Sequence, residues 1–287
     1  MNVLEAKPLG SLLSSWRTSQ REEELSVNSL DVKTAATQGY APVNGLKMYY
    51  EIEGTGDPLV CIPPAFGYAG VNSYPALVGT HTVITVDLQG HGRTADIPER
   101  PLSIEQYAKD VVGLLKYLGI AKADFFGESY GGNAAAMIAI RYPERVDRVV
   151  TYAATFGPPQ IALNPRTTHY DHPPNADSSN IQFQRENYKR VALDPGWQGF
   201  SNQELASIKA PMLVILGDYD FARLEHAVET VKLIPKAELA VIPSASHFAL
   251  FSEPERVIPI VKYFLEKPEK SIPLATAESG YHPGETR

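Results

Sequence analysis

The sequence predicts an α/β fold built on a mostly parallel sheet with helices on both faces. Three observations predict it. Short apolar runs at residues 58–62, 82–87, 123–127, 148–154 and 211–217 are of the kind buried on both faces of a sheet. Helical spacing appears between them, most clearly over residues 103–118. The strand-helix rhythm breaks only once, over residues 157–208, which implies a small inserted cap. The 287 residues, 44% hydrophobic and 21% charged, suffice for one large core carrying such an insertion.

Residues 1–38 stand apart. Their one apolar cluster is at residues 11–16, and residues 21–24 are a charge run with a solvated face. A short amphipathic helix and a mobile leader are both compatible with this composition. The core is expected over residues 39–156 and 209–267. It opens with a hairpin, residues 40–43 and 46–52, around Asn44-Gly45, a pair that accepts the positive φ angles of a tight turn. Strands at 58–62 and 82–87 follow. The helix at 103–118 begins with an expected capping box, Ser103 with Gln106, and ends at Gly119. A strand at 123–127 leads into a sharp turn at Ser129 and a helix over 133–142, and a strand follows at 148–154. The cap holds six prolines among scattered aromatic residues, including Tyr170, Tyr188 and Trp197. After it come a strand at 211–217, a helix at 222–233, a strand at 238–242 and a helix capped by residues 252–255 and running to 267. Pro259 is expected to kink or shorten that helix. Residues 268–287 form a polar tail.

Several function classes are excluded at this stage. The net charge of −7, with both signs mixed along the chain, leaves no basic footprint for nucleic acid or a membrane surface. No apolar run approaches the ~20 residues of a membrane helix. The single cysteine, Cys61, lies in an apolar run and reads as a core thiol. His169 and His172 lack a third ligand and read as polar loop rather than a metal pair. The expectation is a cytoplasmic protein acting on a small molecule, with neither cofactor nor metal, and with room for a homo-oligomer.

The chemistry concentrates at Gly127-Glu128-Ser129-Tyr130-Gly131. A serine between two glycines on a strand-to-helix turn projects from the sheet and can act as a nucleophile. His247, just after the last strand, suits the general base. The acid that orients it is expected in the loop after the 211–217 strand, which offers Asp218 and Asp220. Asp220 is preferred as the one further into the loop. The alternative loop, residues 151–164, contains no carboxylate. The order Ser, Asp, His fits a triad. A second oxyanion donor, opposite the Tyr130 N–H, must come from the loop after residues 58–62. Pro63 and Pro64 lack an N–H, so Ala65 is the first candidate and Phe66 the next. Phe66 and Phe248, with aromatic residues of the cap, suggest an apolar substrate pocket.

Taken as a set, Gly127–Gly131, residues 87–94 (Asp-Leu-Gln-Gly-His-Gly-Arg-Thr), residues 217–220 and His247 resemble the α/β-hydrolase superfamily over residues 40–267. The resemblance implies an eight-stranded sheet with a cap after the sixth strand. It also implies a triad of Ser129, Asp220 and His247, with Ala65 and Tyr130 as oxyanion donors. One departure stands out: the family usually carries His-Gly where this chain has Pro63-Pro64. The expected function is hydrolysis of a small carboxylic ester. The alternatives are C–C bond hydrolysis of a diketone-like substrate and a low-turnover small-molecule receptor. Serine at position 129 argues against the haloalkane dehalogenase and epoxide hydrolase chemistries, for which the family uses aspartate there.

Overall fold

A computed structural model describes residues 37–65, 67–69, 74–158 and 197–268. The expectations for residues 1–36, for most of the cap and for the tail from 269 lie outside these. Eight strands form one sheet: β1 (Thr37–Val43), β2 (Leu46–Gly54), β3 (Asp57–Ile62), β4 (His81–Val86), β5 (Ala123–Glu128), β6 (Val146–Tyr152), β7 (Met212–Gly217) and β8 (Ala237–Ile242). Their order is β1-β2-β4-β3-β5-β6-β7-β8. The β1–β2 and β2–β4 pairs are antiparallel, and all later pairs are parallel. The described helices are α1 (Pro75–Val78), α2 (Ile104–Leu118), α3 (Tyr130–Arg141), α4 (Asn202–Ala206), α5 (Leu224–Leu233), α6 (Ala249–Ser252) and α7 (Pro254–Glu266). None is long and apolar enough to cross a membrane.

Alternation along the buried strands divides the core into two layers. Val60 and Ile62 of β3, and Met212, Val214 and Leu216 of β7, face one layer, which α2 and α3 cover. Leu59 and Cys61, with Leu213 and Ile215, face the other, which α7 covers. Burial pushes the Cys61 thiol well above its ordinary range, as expected of a core thiol.

The Asn44-Gly45 turn forms as expected, with φ of 49° and 86°. It is also tied to α2. Asn44 Nδ2 donates to Asp110 Oδ1 (2.9 Å), and a side chain on Gly113 would collide with Val43 and Asn44. Helix α2 buries the whole expected stripe from Ile104 to Leu118. Its C-terminus closes as a Schellman motif, with Ile120 N–H donating to Leu115 O and Gly119 N–H to Lys116 O.

Four local expectations are corrected. Ser103 Oγ accepts from Gln106 N–H (3.1 Å), but the Gln106 amide turns to Asp110 Oδ1 (3.1 Å), so the capping box is only half made. Asp110 is fully buried and needs donors to offset its desolvation, and Arg100 and Asn44 supply the others. Helix α3 begins at Tyr130, not at residue 133. Ser252 belongs to the short α6, and no side chain caps α7. Pro259 does not shorten α7, which runs unbroken to Glu266. Pro259 lies on an exposed face near the start of that helix, so it removes one bond, to the carbonyl of the exposed Glu255, where water can replace it.

At the amino-terminal edge of the parallel strands, burial raises the Asp124 carboxyl to about 7, opposed by nearby Arg148. Arg148 in turn donates to the carbonyls of Phe264, Leu265 and Lys267 at the end of α7. A carboxyl whose folded pKa lies above its unfolded value contributes stability below about pH 4. That contribution is lost as pH rises through about 7. Asp124→Asn is therefore expected to flatten the fall in stability between these pH values, by at most about 4 kcal/mol. Thermal unfolding of both proteins at pH 4 to 8 checks this.

Candidate active site

The parallel register brings the carboxyl ends of the central strands level. Ile62 pairs with Gly127, Glu128 with Tyr152, and Gly217 with Ile242. The loops that follow these strands therefore meet at one edge of the sheet, where such folds gather their reactive groups.

Ser129 sits between β5 and α3 with φ 50° and ψ −113°, a conformation that costs a non-glycine residue of order 1–3 kcal/mol. Its N–H donates to Tyr152 O (2.7 Å), and its carbonyl accepts from Asn133 N–H (3.2 Å), so both sides of the turn are held. The neighbouring glycines are required by close approach. A side chain on Gly127 would fall on the backbone of Gly131, and one on Gly131 would fall on the carbonyls of Ile62 and Pro63. This is why α3 starts early. Gly131 and Gly132, poor helix formers, are the residues that fit against β3 and Ala154.

His247 stands in the loop after β8. Its Nε2 lies 3.1 Å from Ser129 Oγ, and its Nδ1 lies 2.7 Å from Asp220 Oδ1. A carboxylate can only accept, so Nδ1 carries the proton and Nε2 is left to accept from the serine hydroxyl. Asp220 is 1% exposed and His247 5%, while Ser129 is half-buried. The buried acid is thus screened from water, and Ser129 keeps partial exposure. Asp220 Oδ1 also accepts from Ala222 N–H (2.9 Å), which delays the start of α5 to Leu224. Asp218 is exposed and points elsewhere, accepting from Ala245 N–H (3.1 Å) as a local loop clasp.

Two supports of the histidine loop escape a reading of the sequence. Tyr152, at the end of β6, donates to Ser246 O (2.8 Å) and so fixes the residue before His247. Burial raises its phenol, with Asp220 and Glu128 adding to the effect. Phe221 stacks on the His247 ring, with centroids 3.5 Å apart and planes 28° apart. The only sequence signal for either is an aromatic residue placed next to a strand end or next to the acid.

The two residues expected as oxyanion donors lie at the start of α3 and in the turn after β3. Tyr130 is the first residue of α3, which places its N–H among those pointing out of the helix start. Ala65 is half-buried in the turn after β3, whose carbonyls pack on Gly131. Phe66 lies outside the described residues. Phe248 is half-buried and meets His247 edge-on, with centroids 5.4 Å apart and planes at 86°. Pro63-Pro64 does not leave this loop untethered. Gly67 N–H closes a turn onto Pro64 O (2.9 Å). Ala69 is gripped from both sides: its N–H donates to Asp87 Oδ1 (2.5 Å) and its carbonyl accepts from Arg93 Nη2 (2.8 Å). Asp87 is fully buried, accepts from the Arg93 backbone (2.6 Å) and Nε (3.1 Å), and has its pKa raised by burial. The Asp87–Thr94 motif thus orders the loop beside Ser129.

His91, in the same motif, packs as a loop residue. It is fully buried against Tyr107, and burial lowers it to about 4, which keeps the ring neutral. His169 and His172 lie outside the described residues.

The fold and this arrangement define a hydrolase of the α/β class, and the chain belongs to the α/β-hydrolase superfamily. Residues 58–199 match the family described as alpha/beta hydrolase fold. The 2-hydroxy-6-oxononadienedioate/2-hydroxy-6-oxononatrienedioate hydrolase of Burkholderia vietnamiensis is 27% identical over 264 residues, covering 77% of this chain and 92% of its own. Among solved structures, the enol-lactonase of Burkholderia xenovorans is 25% identical with a TM-score of 0.64, covering 79% of this chain and 100% of that one. The 2-hydroxy-6-oxo-6-phenylhexa-2,4-dienoate hydrolase of Rhodococcus shares the fold, with a TM-score of 0.68 at 17% identity, covering 81% and 99%.

Proposed function

We propose that this protein is a serine hydrolase that cleaves a small carboxylic ester through an acyl-enzyme. The observation that carries the reading is the continuous line from Asp220 through His247 to Ser129, at 2.7 and 3.1 Å. His247 Nε2 takes the Ser129 proton as Oγ attacks the substrate carbonyl. The carbonyl oxygen becomes an oxyanion, facing the N–H groups of Ala65 and Tyr130. Asp220 stabilises the imidazolium through Nδ1–H. Nε2–H then protonates the leaving alkoxide, and the C–O bond breaks. Water, deprotonated by His247, attacks the acyl-serine and frees the acid and Ser129. The enzyme acts on a small molecule and is expected in the cytoplasm.

A second reading is favoured by the Burkholderia vietnamiensis relative, named for hydrolysis of 6-oxo dienedioates. Such compounds carry a ketone and no ester, so the same triad would serve C–C bond hydrolysis in a diketone-like substrate. Product analysis separates the two. Aryl esters of graded acyl length and a β-diketone are each incubated with the enzyme, and the products are identified by mass spectrometry. The ester reading predicts release of the acid and phenol, with kcat/KM for the best ester at least about tenfold above the diketone, one factor of ten being about 1.4 kcal/mol of barrier. Faster cleavage of the diketone than of any ester would replace it with the second reading.

A further inference from the structure

We propose that Phe221 is a positioning residue for His247: its ring fixes the plane of the imidazole and faces the positive charge that forms there. The kinetic side of this rests on the serine-hydrolase reading above, whereas the ring geometry stands without it. Asp220, Phe221 and Ala222 act as one consecutive unit. Asp220 Oδ1 binds His247 Nδ1 on one side and Ala222 N–H on the other, so the chain on both sides of Phe221 is held. Between them the Phe221 ring lies on the imidazole face, with centroids 3.5 Å apart and planes 28° apart. Phe248 closes the same imidazole from its edge.

A single hydrogen bond at Nδ1 anchors one corner of the imidazole. It restrains rotation about the Cβ–Cγ bond, a torsion that is broad for histidine, only within the angular tolerance of a hydrogen bond, so the ring keeps some freedom to tilt. A plate against the ring face removes that freedom. With the plane set, Nε2 is aimed at Ser129 Oγ, 3.1 Å away. The second contribution is electrostatic. The face of an aromatic ring is negative and attracts a cation, most strongly where water is excluded. His247 is buried, and its ring gains a positive charge when it takes the serine proton. The stack therefore tightens as the barrier is climbed, which raises kcat rather than substrate affinity.

The test compares Phe221→Leu, which keeps most of the volume without the π face, with Phe221→Tyr, which restores the face. The substrate is p-nitrophenyl acetate, and Ser129→Ala is run beside them. In Phe221→Leu, kcat is expected to fall about 10- to 30-fold, equivalent to about 1.4–2 kcal/mol, with KM within about twofold. Phe221→Tyr is expected to recover most of it. A second readout is independent of turnover: the downfield proton resonance of His247 Nδ1–H in the resting protein. It is expected to be sharp in wild type and Phe221→Tyr, and broadened in Phe221→Leu. A Leu variant with wild-type kcat and an unchanged resonance overturns the proposal, as does a Tyr variant that fails alongside Leu. If Ser129→Ala turns over like wild type while the resonance behaves as expected, the serine-hydrolase reading fails and the positioning role stands.

Discussion

Asp220→Asn is expected to lower kcat by about ten-thousand-fold, whereas Asp218→Asn leaves it within about threefold. The two carboxylates are two residues apart in one loop, yet their surroundings differ completely. Asp220 is 1% exposed and lies 2.7 Å from His247 Nδ1, and Asp218 is an exposed clasp on the Ala245 amide. As a carboxylate, Asp220 fixes the proton on Nδ1 and frees the Nε2 lone pair for Ser129. An asparagine amide can present its NH2 group to Nδ1 instead. That draws the proton to Nε2 and leaves the serine without a base. The loss therefore lies in the tautomer and in the missing partner for the imidazolium, with the fold left intact. Asp218→Asn keeps an oxygen for the Ala245 amide, so the loop is retained. Steady-state kinetics of both variants on a p-nitrophenyl ester, with thermal unfolding as a control, decides the assignment. Equal losses in the two variants would contradict it.

Ser129→Ala and His247→Ala are each expected to reduce kcat by about a million-fold, and the double variant is expected to be no worse than either. Nucleophile and base act as one unit, so removing either removes the covalent route altogether. What remains is the stabilisation offered by the oxyanion groups and by binding. KM should move little in Ser129→Ala, since the substitution leaves the walls of the site in place. Losses that add between the two positions would place Ser129 and His247 in separate roles.

The fold was legible because its strands are written as short apolar runs with breaks between them. The register then follows from burial on both faces, as Leu213 and Ile215 against Val214 and Leu216 illustrate. The Asn44-Gly45 turn and the Gly119 stop were legible because they require positive φ, which few residue types adopt readily. Ser129, Asp220 and His247 could be placed because each follows a strand that ends at the same edge of the sheet. What escaped depends on three-dimensional neighbours. The start of α3 was misplaced because Gly131 and Gly132 argue against helix locally, and only close approach, of Gly131 to Ile62 and Pro63 and of Gly132 to Ala154, explains why glycines stand in its first turn. The half-made capping box reflects the demand of buried Asp110 for donors, a demand set by packing. Pro63-Pro64 stands where the family usually carries His-Gly, in the loop beside Ser129. Order in that loop is supplied by Asp87 and Arg93, far along the chain, through Ala69. Phe221 against His247 is likewise a contact between two loops, with no periodicity to announce it.

The proposed function depends above all on Ser129 as a nucleophile activated by His247. The most direct measurement of that role is the site of covalent modification by a fluorophosphonate probe, mapped by peptide mass spectrometry. One adduct is expected, on Ser129, absent from Ser129→Ala and formed far more slowly in His247→Ala. An adduct on another residue, or undiminished labelling of Ser129→Ala, would contradict it.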